Sequence, residues 1–178
     1  MNNDIVIGWH FLAKDGTSHN GYRPAPVGEW ETVIEDPVLC ERGYHGSLRL
    51  IEALGYAPGP ILQRCEYRGV VHDDDKFVAT TRRAIVRADA SALLRMFAAY
   101  VAEEAMESAK WADERSWAAT SAANLYALGL ISAADLSAAE SAARLAAESA
   151  ARSAAWSAAR LAQNAWLEAA VLDLPDEP

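Results

Sequence analysis

Apolar positions run almost without a break through Asp4-Ile-Val-Ile-Gly-Trp-His-Phe-Leu12, which predicts a short extended segment. Asp15-Gly16 follows as a turn signal, and the polar, proline-containing stretch from Thr17 to Pro26 reads as loop. Trp30 to Ile34 alternates enough for a strand, and Asp36-Pro37 stops it, because proline disfavours a helical conformation in the residue before it. Leu48, Leu50, Ile51 and Leu54 fall at helical spacing behind Ser47, and Gly55 with Pro58-Gly59-Pro60 ends that short helix. Ile61 to Tyr67 and Phe77 to Thr81 read as strands, the second extended by Ile85-Val86, with the charged run His72-Asp-Asp-Asp75 joining them.

The pattern then changes. No proline lies between Pro60 and Pro175, and Gly129 is the single glycine from Asp89 to Leu174, so helix is expected through almost the whole span. Asp89 is placed to cap its start. Leu128-Gly-Leu-Ile-Ser132 interrupts it, and Ser132-Ala-Ala-Asp135 has the spacing of a capping box. Two helical segments of about 40 residues follow from that punctuation, each about 60 Å long at 1.5 Å per residue. Such lengths exceed ordinary globular helices, which points to a break near Asp113 or Asn164.

Composition sharpens the division. Seven alanines precede residue 89 and 31 follow it, while all four histidines and both cysteines come before it. The boundary is expected at Ala88-Asp89, giving a small α+β domain over residues 1–88, built on a mainly antiparallel or mixed sheet, and a long alanine-rich helical hairpin or bundle over 89–178. Leu145, Trp156 and Leu167 recur at 11 residues, close to three helical turns, among small residues that allow close backbone approach. Trp111, Trp117, Trp156 and Trp166 would fill the wider gaps. An alanine face buries little area per residue, so the helical half reads either as one self-contained hairpin or as a surface for homo-oligomer formation.

The formal net charge of −9 provides no broad basic field, so direct nucleic-acid binding is not expected. No run approaches the roughly 20 apolar residues of a membrane span. The opening Met-Asn-Asn-Asp-Ile has no basic region with an apolar run behind it, so a cytoplasmic location, with cysteines kept as thiols, is the expectation.

Candidate chemistry concentrates in the first half. In Cys40-Glu-Arg-Gly-Tyr-His45-Gly-Ser47, two glycines flank a tyrosine and a histidine, and Ser47 opens a helix whose free amides could meet an anion. The alternative is a structured turn. Arg68, Arg82, Arg83 and Arg87 are the local concentration of positive charge, able to hold a phosphate or to neutralise nearby acids. His10, beside Trp9 and Phe11, could hydrogen-bond a sugar hydroxyl or be structural. Asp73, Asp74 and Asp75 read mainly as a solvated turn. Cys40 and Cys65 with His45 and His72 lack the short spacing of a zinc site, so neither metal nor cofactor is expected and both cysteines read as small buried hydrophobes. The candidate ligand-binding set is therefore His10, Tyr44, His45, Ser47, Arg68, Arg82 and Arg83.

The order Gly8-Trp-His, Pro37-x-x-Cys40-x-x-Gly43-Tyr-His45-x-Ser47, Ala53-Leu-x-Tyr56-x-x-Gly59, Arg68-Gly-Val-Val71 and Asp75-Lys76-Phe-Val-Ala79 resembles an uncharacterised domain of tailed-phage and prophage proteins, over roughly residues 5–88. That resemblance implies a phage accessory protein in the host cytoplasm, often with a variable helical tail, and carries no activity. A more distant likeness is to ADP-ribosyltransferases of the His-Tyr-Glu type, in which His10 would match the ribose-holding histidine and Gly43-Tyr44-His45-Gly46-Ser47 the nicotinamide-packing segment. Here Tyr44 directly follows the glycine, His45-Gly46 stands where Phe-Ala is usual, and arginines dominate the last strand where a glutamate is needed. Three functions stay open: a non-catalytic module binding a small nucleotide-like ligand or a host protein, a self-associating structural protein, and a transferase-like enzyme acting on a nucleotide.

Overall fold

The structure, a computed structural model, describes residues 4–33, 36–109, 114–150 and 156–172. Among the described residues the architecture is α+β, with one antiparallel five-stranded sheet and five helices. The chain packs as two compact units, one made of Met1–Ala90 with Glu168–Pro178 and the other of Ser91–Leu167.

In the first unit, β1 (Val6–Leu12), β4 (Ile61–His72) and β5 (Phe77–Asp89) form the body of the sheet. The far edge of β5 is shared by β2 (Trp30–Thr32), opposite residues 81–83, and β3 (Tyr44–Gly46), opposite residues 77–79. Just beyond β3, Ser47 exchanges two backbone hydrogen bonds with Trp9 of β1, at 2.9 and 3.1 Å. The pairings β1–β4–β5–β3–β1 thus form a ring, which gives the sheet an inner face. Tyr67 and Phe77 meet edge to face there at 4.7 Å, with Cys65, Ala79 and Ala84 around them. The segment that looks like a turn at Tyr44-His45-Gly46 is a strand because its glycines allow close approach. Gly43 has φ +120°, and a Cβ on Gly46 would stand 2.7 Å from the Tyr67 hydroxyl.

Both long strands run past their apolar cores. Arg82 and Arg83 lie within β5, and each meets a carboxylate on its own side of the sheet, Glu31 and Glu66 respectively. Those pairs let a charged stretch continue the ladder. A register shift between Arg64 and Cys65 leaves Ile85 as the extra residue of a bulge. Asp89, expected at the start of the helical half, is the last residue of β5, paired with Ile61. The short helix α1 is Leu50–Leu54, later than expected, and its N-cap is Arg49 without a side-chain cap bond. Ser47 is buried in the bridge to Trp9 instead. A carboxylate from the far end of the chain serves α1: the Leu50 amide donates to Glu168 Oε1 at 3.2 Å.

In the second unit the described residues form four helical stretches, α2 (Ser91–Ala109), α3 (Glu114–Ala127), α4 (Ala133–Ala150) and α5 (Trp156–Val171), the last ending in the first unit; residues 110–113 and 151–155, between α2 and α3 and between α4 and α5, lie outside the described residues. Gly129, at φ +73°, ends α3, with the Leu130 amide donating back to Leu125 at 2.8 Å. Of the two places offered for a break, Asn164 lies inside α5, which runs through it, and is buried. Asp113 lies outside the described residues. Trp166 does fill a gap, stacked on Tyr100 at 5.5 Å and on Phe97 at 5.8 Å. Of the 11-residue series, Leu167 is buried, while the side chains of Leu145 and Trp156 lie outside the described set. No described helix is long and apolar enough to cross a membrane.

Candidate functional site

Strand alternation sends neighbouring residues of β4 and β5 to opposite faces, and this sorts the candidate residues. On the inner face, Arg82 is 2% exposed and gives Glu31 Oε2 two hydrogen bonds, from Nε at 3.1 Å and Nη2 at 2.9 Å. The Tyr22 hydroxyl and the Ala25 amide donate to the other oxygen of Glu31. Burial pushes the Glu31 carboxyl upward, but the Tyr22 hydrogen bond and the Arg82 charge overcome it and hold the group below its ordinary range. Tyr44 lays its ring against the Arg82 guanidinium, at 4.8 Å. Tyr67 donates from its hydroxyl to the His45 carbonyl at 3.4 Å, and burial raises its phenol well above normal.

His10 lies in the same region. Burial, then the Arg82 and His45 charges, depress its pKa from 6.5 to about 3, so it is neutral at physiological pH. Its Nε2 has no hydrogen-bond partner among the described residues. The His45 imidazole turns instead toward the loop, where Nε2 accepts the Cys40 amide at 2.9 Å, and burial with the Lys76 charge lowers its pKa. Cys40 itself adopts φ +64°, unusual without glycine. Beside it, Lys76 stands over the Tyr56 ring at 4.9 Å and the Tyr56 hydroxyl reaches Asp75 at 2.8 Å. Cys40 is exposed, Cys65 is buried, and both are free thiols. Among the described residues, no group of three or more His, Cys, Asp or Glu side chains could hold a metal.

The structure therefore brings His10, Tyr44, His45 and Arg82 together, with the charge of Arg82 already met by Glu31. Arg68 and Arg83 are on the opposite, outer face. There Trp30 carries the Arg68 guanidinium over its ring at 4.1 Å and that of Arg83 at 4.8 Å. Arg83 is also paired to Glu66, with Nε to Oε2 at 2.9 Å. Further along β4, Arg64 stands over Trp9 at 5.6 Å. The outer face thus carries three guanidiniums, one over the buried Trp9 and two over Trp30, with Glu66 paired to one of them. Arg64 Nε and Arg68 Nε are shielded and have no partner among the described residues. Trp9, Trp30 and Arg64 were not among the candidate residues, although the alternation Leu62-x-Arg64-x-Glu66-x-Arg68 puts those side chains on one face of a strand.

Compared with known proteins, the chain matches no family model, no curated protein and no solved structure.

Proposed function

We propose that the chain is a non-catalytic binding module, of the kind expected of a phage accessory protein, that takes a small nucleotide-like ligand on the outer face of its sheet. The observation that carries this reading is the Trp30 indole with two guanidiniums against it, Arg68 at 4.1 Å and Arg83 at 4.8 Å. Guanidinium N–H groups suit phosphate oxygens in paired, directional bonds, and the indole and guanidinium planes offer a π surface to a heterocyclic base. Arg68 brings charge to this face without an ion pair among the described residues. The inner set is a poorer candidate, because Arg82 and Glu31 satisfy each other in a buried pair.

Calorimetric titration of the full chain with the four ribonucleoside mono- and diphosphates tests the reading. At least one should bind, and Trp30→Ala and Arg68→Ala should each weaken it tenfold or more with the melting temperature preserved. Binding lost in His45→Ala but kept in both outer-face variants would move the site to the inner set. No binding across the panel would remove the nucleotide reading.

A second reading, assembly through the helical half, is favoured by one specific observation. Leu125, Leu128 and Leu130, at the turn between α3 and α4, are 40%, 61% and 66% exposed.

A further inference from the structure

Beside Trp9, on the same outer face, lies a cavity of about 250 Å³ lined by Trp9, Leu62, Arg64, Val86, Ala88, Val171 and Leu172. All seven residues belong to the first unit, and the last two come from the end of α5 and the residue after it. Six of the lining residues are apolar. The seventh is Arg64, whose Nε is shielded from solvent and has no hydrogen-bond partner among the described residues. A polar donor held this way lacks the compensation that buried polar groups nearly always find.

We propose that this cavity is a binding site for a small monocarboxylate with an apolar, ring-sized body. Size sets the body: an apolar cavity of about 150 Å³ is enough for benzene, so the space here accommodates a ring with a short side arm. Charge sets the head group. Arg64 is the single charged side chain in the lining, so one negative charge is matched there, whereas the second charge of a dianion would have no cationic side chain beside it. A planar carboxylate also matches the guanidinium fork, and Arg64 already lies over the Trp9 ring, which restricts how it can turn. Hydrophobic lining supplies affinity and the single polar group supplies orientation, the usual division of labour in a small-ligand pocket. The site shares no residue with the Trp30 cluster, so it stands apart from the nucleotide reading.

Isothermal titration of the full chain with 3-phenylpropionate, and with its uncharged amide, is the direct test. The acid should bind at least tenfold more tightly than the amide. Arg64→Met, which keeps an apolar stem of similar reach, should abolish that preference while leaving weak binding of both. Val86→Phe should fill the space and weaken both compounds tenfold or more, and Ala88→Leu replaces it if that variant does not fold. Equal affinity of the parent for acid and amide, an acid preference that survives in Arg64→Met, or no binding of either compound at 10 mM would each overturn the proposal.

Discussion

Burial separates His10 from an ordinary histidine. Between its unfolded value of 6.5 and its folded value of about 3, the unfolded chain takes up a proton that the folded chain refuses. The resulting contribution to stability is fully present above pH 6.5 and is lost as pH falls toward 3, with a slope of at most about 1.4 kcal/mol per pH unit. His45, whose pKa is also lowered, adds in the same direction. Replacing His10 with Leu, similar in size and without a titrating group, should therefore flatten the fall in urea midpoint between pH 6.5 and 4.5. An unchanged slope would show that other groups set the acid sensitivity. Sequence picked out His10 beside Trp9 and Phe11 as a residue of interest, but neighbours in a strand point to alternate faces. Its position next to the Arg82 charge came from the ring of strand pairings. The same holds for the arginines: Arg82 and Arg83 are adjacent in sequence and are sent to opposite faces, to different carboxylates and different tasks.

At the scale of elements, local signals were most legible where neighbours in sequence do the work. Ser132 and Asp135 form the capping box their spacing announces: the Asp135 amide donates to Ser132 Oγ at 3.3 Å and the Ser132 amide to Asp135 Oδ2 at 3.1 Å. Ser132→Ala should cost about 1 kcal/mol and lower the thermal midpoint of the helical unit, and Ser132→Asp, another good cap, should restore most of it. Circular dichroism melts of the three proteins decide this; no loss in Ser132→Ala would mean the cap is redundant. Elements that depend on distant partners were harder to read. β3 is three residues long and has little strand pattern of its own, and it exists through pairing with β5 and the bridge to β1. The start of α1 looked like a place for an outside anion, and its Leu50 amide meets Glu168, 118 residues away. The carboxylates that neutralise the charges inside β5 come from β2 and β4, partners that no local pattern names.

For the whole molecule, the second unit poses the question of what covers its apolar residues. Around the α3–α4 turn, Leu125, Leu128 and Leu130 are all more than a third exposed. A second copy can bury the same patch symmetrically, which is the common closed solution for one surface shared by identical chains. Sedimentation equilibrium should find the full chain dimeric at tens of micromolar and a Leu128→Ser/Leu130→Ser variant monomeric with unchanged helicity. A parent that stays monomeric above ~100 μM, a dissociation constant worth about 5.5 kcal/mol, would exclude that assembly. Taken by itself, the sequence determined the α+β class, a strand ending at Leu12 and another starting at Trp30, the helical state of the described alanine-rich residues and their interruption at Gly129, because hydrophobic period, glycine, proline and capping residues act within a few positions along the chain. Tertiary structure alone decided which face each arginine occupies, which carboxylate meets it, that Trp9 and Trp30 share a surface with Arg64 and Arg68, and that the end of α5 lines the cavity beside Trp9. Those facts depend on register, on the bulge at Ile85 and on contacts between residues far apart in sequence, none of which a local pattern encodes.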